Sequence, residues 1–90
     1  MKQELIQLIQ VACTELYGVE AVVELDRPEE QHGDFATNIA MRLAKPLQRN
    51  PRDVAQEIVA KLHDSPLFSS VGAAGPGFIN VTLTDDALLR

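Results

Sequence analysis

Gly75-Pro76-Gly77 stands between two short runs, residues 68–74 and 78–83, that both read as strands. No other feature of the sequence limits the fold as strongly. Glycine accepts the positive φ that tight turns demand, and proline pre-sets the turn backbone. The two runs are therefore expected to fold back on each other as a hairpin. Alternate side chains of a strand point to opposite faces. Ile79, Val81 and Leu83 then share one face, and Phe78, Asn80 and Thr82 share the other. The aliphatic face needs a cover, which the rest of the chain has to supply.

Helical patterns upstream can supply it. Leu5, Leu8, Ile9, Ala12 and Leu16 recur at helical spacing within residues 2–17, and Gly18 follows where a left-handed cap belongs. Asn50-Pro51-Arg52-Asp53 reads as a helix start. Asparagine suits the N-cap, proline the first turn, and aspartate the positive end of the helix dipole. Val54, Ala55, Ile58, Val59 and Leu62 form its apolar side, and Asp64-Ser65-Pro66 stops it. The valine-rich run 21–25 predicts a strand, and residues 26–33 a loop. Asp34 is expected to cap a helix whose stripe is Ala36, Ile39, Ala40, Leu43 and Leu47, with Pro46 kinking or ending it near Lys45. The fold class expected is α+β, with helices packed on one face of a small, mostly antiparallel sheet. The order is α-β-α-α-β-β, followed by the start of a further helix.

At 90 residues the chain is one domain. Aromatics are only 4%, with no Trp, so the core has to be built from Leu, Ile, Val and Ala. Thirteen acids against eight bases leave a net charge of −5, which argues against a dedicated polyanion binder unless the bases are grouped. They are grouped. Arg42, Lys45, Arg49 and Arg52 lie in a stretch from Phe35 to Arg52 that contains no acid. The lone Cys13 forms no intrachain disulfide and fits a reducing compartment. The polar start, with an acid at Glu4, is not a signal or transit peptide. No apolar run approaches the ~18 residues of a membrane span. A cytoplasmic protein without a membrane partner is expected.

Several chemistries find no support. There is no glycine-rich phosphate loop with its lysine, and no paired Cys or His spacing for zinc. Neither Ser69 nor Ser70 sits in a nucleophile elbow. His32 and Asp34 are close enough in sequence to form an acid–base pair, but a turn ending in a helix cap is the plainer reading.

Three segments together point to a family. They are Gly33-Asp34-Phe35-Ala36-Thr37-Asn38-Ile39-Ala40, Asn50-Pro51-Arg52-Asp53-Val54-Ala55, and Ala74-Gly75-Pro76-Gly77-Phe78-Ile79-Asn80. In this order and spacing the chain resembles the N-terminal additional domain of arginyl-tRNA synthetases, over essentially its whole length. The resemblance implies helices against a small antiparallel sheet. It also implies contact with a D-loop nucleotide at the tRNA elbow through the Gly-Pro-Gly-aromatic-x-Asn segment. On this chain the aromatic is Phe78 and the amide Asn80, with Gly75 and Gly77 leaving room for close backbone approach. A ring can stack on an unpaired base, and an amide can both donate to and accept from a base edge.

The resemblance further implies a parent enzyme that uses ATP with Mg and arginine, and whose catalytic motifs lie beyond these residues. The fragment itself is expected to need no cofactor or metal and to have no catalytic residue. Its partners are expected to be an arginine-accepting tRNA and the catalytic domain of the same chain. Residues 1–84 would form the tRNA-recognition domain, and 85–90 the start of a linker helix capped by Thr84. Other readings stay open. Phe78 can instead cover the hairpin, and Asn80 can bond its own turn. Arg42, Lys45, Arg49 and Arg52 can contact phosphates or form a solvated face. The whole domain can be an interaction module with little RNA contact.

Overall fold

The computed structural model describes residues 2–26 and 33–84. Its elements are α1 (Lys2–Tyr17), β1 (Phe35–Thr37), α2 (Ile39–Leu47), α3 (Pro51–Leu62), β2 (Phe68–Ala74) and β3 (Phe78–Leu83). The strands form one antiparallel sheet in the order β1-β3-β2. Helices α2 and α3 pack on this sheet, and α1 packs on α3. The α+β class and the element order agree with the sequence reading.

The hairpin forms as its sequence dictates. Ala74 pairs with Phe78 across the turn, and Phe68 pairs with Leu83 at the open end. An irregularity between Phe68 and Ser70 shifts the register there. Ile79, Val81 and Leu83 are buried, whereas Phe78 is exposed and Asn80 and Thr82 are half-exposed. Leu5, Ile9, Ala12 and Cys13 of α1 join Val54, Ala55, Ile58 and Leu62 of α3 in one core with the sheet. Burial pushes the Cys13 thiol up to about 11, so it behaves as a small apolar residue. Leu16, expected on the buried side of α1, is exposed instead. Cys13 takes its place in the core.

The α3 start matches its signals. Asn50 has extended backbone, and its Oδ1 accepts the Arg52 N–H at 2.9 Å. Gly18 ends α1 at φ 65°, donating its N–H to the Thr14 carbonyl. Pro46 sits inside the last turn of α2, which ends one residue later at Leu47. Gln48 then takes the left-handed conformation, and its N–H reaches the Lys45 carbonyl.

Two local expectations need correction. Residues 21–25 are not a strand. They run extended, with Ala21, Val23 and Leu25 buried and Val22 and Glu24 exposed, but only Asp26 makes a ladder contact, to Ala36. Side chains answer some of their carbonyls instead, with Gln10 Nε2 donating to the Ala21 oxygen at 3.1 Å. The strand of this region is β1, in residues expected to be the first turn of a helix. Asp34 caps no helix. Its N–H donates to the Val81 carbonyl and its Oδ2 accepts the Leu83 N–H, both at 2.8 Å. Ala36 accordingly belongs to β1, opposite Asn80, and α2 begins only at Ile39. The cause is tertiary. Pairing with β3 uses a phenylalanine and a β-branched threonine, and it outweighs a local cap signal. The proposed start of a linker helix at 85–90 lies outside the described residues.

Ile79→Ala should lower unfolding free energy by about 2–5 kcal/mol, because a fully buried aliphatic leaves a cavity. Asn50→Ala should cost about 1 kcal/mol through the lost cap. Urea titrations followed by circular dichroism would measure both, with the Ile79 variant the weaker fold.

Candidate functional site

The residues singled out in the sequence gather at the hairpin tip. Gly75 adopts φ 57° and Gly77 φ 153°, both turn conformations that favour glycine. A Cβ on Gly77 would lie 2.7 Å from Met41 Cγ and 2.9 Å from Pro51 Cβ. The tip is therefore seated directly on α2 and on the first residue of α3. Gly75 packs beside the Phe78 ring, with a Cβ at that position meeting Phe78 Cδ2 at 3.6 Å. The ring lies along the turn, and Phe78 keeps 40% of its surface exposed.

Asn80 is two residues along the same face of β3. Its Cα partners are Ala36 on one side and Gly72 on the other, both small. A Cβ on Gly72 would meet nothing within 4 Å, so the face beside Asn80 is open. The Asn80 side chain has no hydrogen-bond partner among the described residues. The alternative in which it bonds its own turn is therefore not the arrangement found. An exposed ring and an unpartnered amide on one open strand face can stack on a flat heterocycle and read its edge.

The four bases are not equivalent. Arg49 donates through both guanidinium nitrogens to the Glu57 carboxylate, the Nη1 to Oε1 bond being 2.8 Å. Tyr17 donates its hydroxyl to the same Oε1 at 2.5 Å, and the guanidinium lies 5.8 Å from the centre of the tyrosine ring. The bond from Arg49, then that from Tyr17, holds the Glu57 carboxyl below the usual range, and burial followed by Glu57 holds the Tyr17 phenol above its own. Arg42 pairs loosely with Glu24 at 3.8 Å and donates a long bond to the Val22 carbonyl. Lys45 and Arg52 are exposed, with no acidic partner among the described residues. Arg52 directly follows Pro51, on which the tip rests.

His32 lies outside the described residues, and Asp34 is committed to the backbone of β3. Among the described residues there is no cluster of His, Cys, Asp and Glu suited to a metal ion. None of their helices is long and apolar enough to cross a membrane. Sequence reasoning missed the seat formed by Met41 and Pro51, and the Tyr17–Glu57–Arg49 group. No local spacing signals either, because both join residues brought together only by packing.

The comparisons can be set beside this geometry. A family model described as the arginyl tRNA synthetase N terminal domain matches residues 2–83. The chain is 44% identical over 96 residues to the arginine–tRNA ligase of Idiomarina loihiensis, an alignment covering 98% of this chain and 17% of that protein. It is 49% identical over 92 residues to the arginine–tRNA ligase of Bordetella pertussis, covering 96% of this chain and 16% of the relative. The solved arginyl-tRNA synthetase of Thermus thermophilus superposes with a TM-score of 0.82 at 28% identity, over 100% of this chain and 15% of that one. The chain thus spans only a small part of the length of its relatives.

Gly77→Ala should cost about 1–3 kcal/mol, through overpacking against Pro51 and a φ that alanine resists. Amide shifts of the variant should change around Met41 and Arg52 as well as in the turn. A neutral Gly77→Ala, with shifts confined to the turn, would contradict the seating described.

Proposed function

The chain belongs to the arginyl-tRNA synthetase N-terminal domain family, and from this premise we propose that it is a tRNA-recognition module acting in the cytoplasm. It contacts the D-loop at the tRNA elbow and so supports ATP-dependent arginylation by a catalytic domain downstream in the same protein. ATP with Mg and arginine belong to that catalytic domain. The observation that carries the reading is the pairing of an exposed Phe78 ring with an unpartnered Asn80 amide on one open face. The ring is exposed and the amide has no protein partner among the described residues, so both are available to a ligand that offers a flat face and a polar edge.

In this reading Phe78 stacks on an unpaired base, and Asn80 hydrogen-bonds its edge. Gly75, exposed at the turn, leaves room for the nucleotide backbone to approach, and Gly77 acts through the seat on Met41 and Pro51 that holds the turn in place. Lys45 and Arg52 are the bases best placed to meet phosphates, since neither forms an ion pair among the described residues. Arg42 is only loosely paired and can swing to a phosphate. Arg49 would have to leave Glu57 first, so its contribution is the smallest of the four.

The net charge of −5 favours a second reading, an interaction module that packs on the rest of the synthetase with little RNA contact. The two readings part on one measurement. Phe78→Ala in the full-length enzyme should raise the tRNA concentration needed for half-maximal arginylation by roughly 5- to 150-fold, the factor equivalent to about 1–3 kcal/mol of stacking. The constants for ATP and arginine should not move, and the melting temperature should fall only modestly, because part of the ring is buried and its loss removes that apolar area. Asn80→Ala should reduce discrimination between tRNAs that differ at the D-loop corner base. An enzyme indifferent to both substitutions would support the interaction module.

The isolated domain, given ATP, arginine and tRNA, should form no arginyl-tRNA. Clean turnover by the purified domain would overturn its assignment as a recognition module.

A further inference from the structure

Arg49 is held more firmly than Arg42, Lys45 or Arg52, and the residue that holds it lies outside the candidate site. Glu57 takes both arms of its guanidinium, Nη1 donating to Oε1 at 2.8 Å. Tyr17 of α1 donates its hydroxyl to the same Oε1. Asp53, one turn back along α3, adds a weaker attraction through space.

The position of Glu57 decides where the arginine charge goes. Arg49 stands two residues before Pro51, the residue on which Gly77 rests. Two residues span at most about 7 Å, so the root of the Arg49 side chain lies close to the hairpin tip. Glu57 lies on α3, which begins at Pro51, and is set about 9 Å along the helix from that residue. The guanidinium is thereby drawn down α3, past the residue that seats the tip.

We propose that Glu57 limits the affinity of this domain for tRNA by keeping the Arg49 guanidinium off the phosphates beside the hairpin tip. The proposal rests on the reading of the tip as a tRNA contact. It adds to that reading a residue that touches no RNA and acts only through Arg49.

Three observations carry it. The first is geometry. A carboxylate that receives both arms of a guanidinium offers the same planar match as a phosphate, so the two compete for one set of donors. The second is exposure. The Arg49 and Glu57 side chains remain 40% and 38% exposed, and ion pairs in such positions are weak. Glu57 therefore restrains an arginine that is still within reach of solvent and of a ligand. The third is that the fold does not depend on the pair. Helices α1 and α3 are joined by their shared core, by Lys61 with Glu15, and by Tyr17 itself. Glutamine at 57 would keep an oxygen for the Tyr17 hydroxyl while removing the charge that holds Arg49.

The test uses the full-length synthetase carrying this domain and the dissociation constant of arginine-accepting tRNA. At 0.15 M salt a charge acting through space is screened beyond about 8 Å. Glu57→Gln should tighten binding about two- to fivefold, the factor that corresponds to an exposed ion pair. The plot of log affinity against log salt should steepen by about 0.7–0.9, as one phosphate contact is gained. In an Arg49→Gln background the same substitution should change affinity by less than roughly 1.5-fold. Tyr17→Phe, which loosens α1 without freeing Arg49, should not tighten binding.

Unchanged or weaker binding by Glu57→Gln would overturn the proposal. Equal gains with and without Arg49 would overturn it in favour of simple charge repulsion by Glu57. A gain reproduced by Tyr17→Phe would overturn it in favour of a loosened α1. Phe78→Ala in the same assay keeps the two readings apart. Weaker binding by Phe78→Ala beside no gain from Glu57→Gln removes this proposal and leaves the tRNA reading intact, whereas indifference to both substitutions removes both.

Discussion

The central position of β3 is the constraint on which the rest of this domain depends. Its backbone is bonded on one edge to β1 and on the other to β2. That double pairing fixes its register, and a slip of one residue would turn its apolar set out to solvent. With the register fixed, Ile79, Val81 and Leu83 anchor the sheet to the helices. The same register leaves Phe78 and Asn80 no choice but the outer face. One strand thus holds the core with alternate residues and presents the candidate site with the others.

The tip of the hairpin is placed by packing more than by charge. Gly77 lies against Met41 and Pro51, so the turn rests where α2 gives way to α3. Asn50 fixes the start of α3 from within the same junction. The Tyr17–Glu57–Arg49 group ties that junction to the end of α1. These charged groups are largely exposed, and exposed ion pairs contribute little to stability. Their consequence is positional: Arg49 is held toward Glu57, while Lys45 and Arg52 form no ion pair among the described residues. A short hairpin with mainly small residues at its tip gains a defined orientation from this seat.

An acidic domain is an unusual candidate for contact with a polyanion, and the distribution of charge resolves the difficulty. Residues 35–52 carry bases and no acids, and they supply α2 and the approach to α3. The acids Glu4 and Glu15 lie on α1, the latter paired with Lys61 at 2.7 Å. Net charge sums over these two regions and describes neither.

The sequence by itself determined the elements whose local signal met no competing tertiary partner. The Gly75-Pro76-Gly77 reversal, the face assignment along β3, the Asn50 cap and the Gly18 terminus of α1 follow from backbone preference and side-chain parity, and all are found as read. The motifs around Phe78 and Asn80 were visible for the same reason, since they share one strand. Only the tertiary structure decided what depended on a distant partner. Residues 33–37 carry a helix-cap signal yet form β1, because pairing with β3 uses both the Asp34 carboxylate and the backbone of Phe35 to Thr37. Residues 21–25 carry a strand signal, yet no strand among the described residues pairs with them, so they stay extended without a ladder. The seat of Gly77 on Met41 and Pro51, and the capture of Arg49 by Glu57, likewise had no trace in spacing. Hydrogen-bonding groups take the partner that folding brings within reach, and which partner arrives is a property of the whole chain.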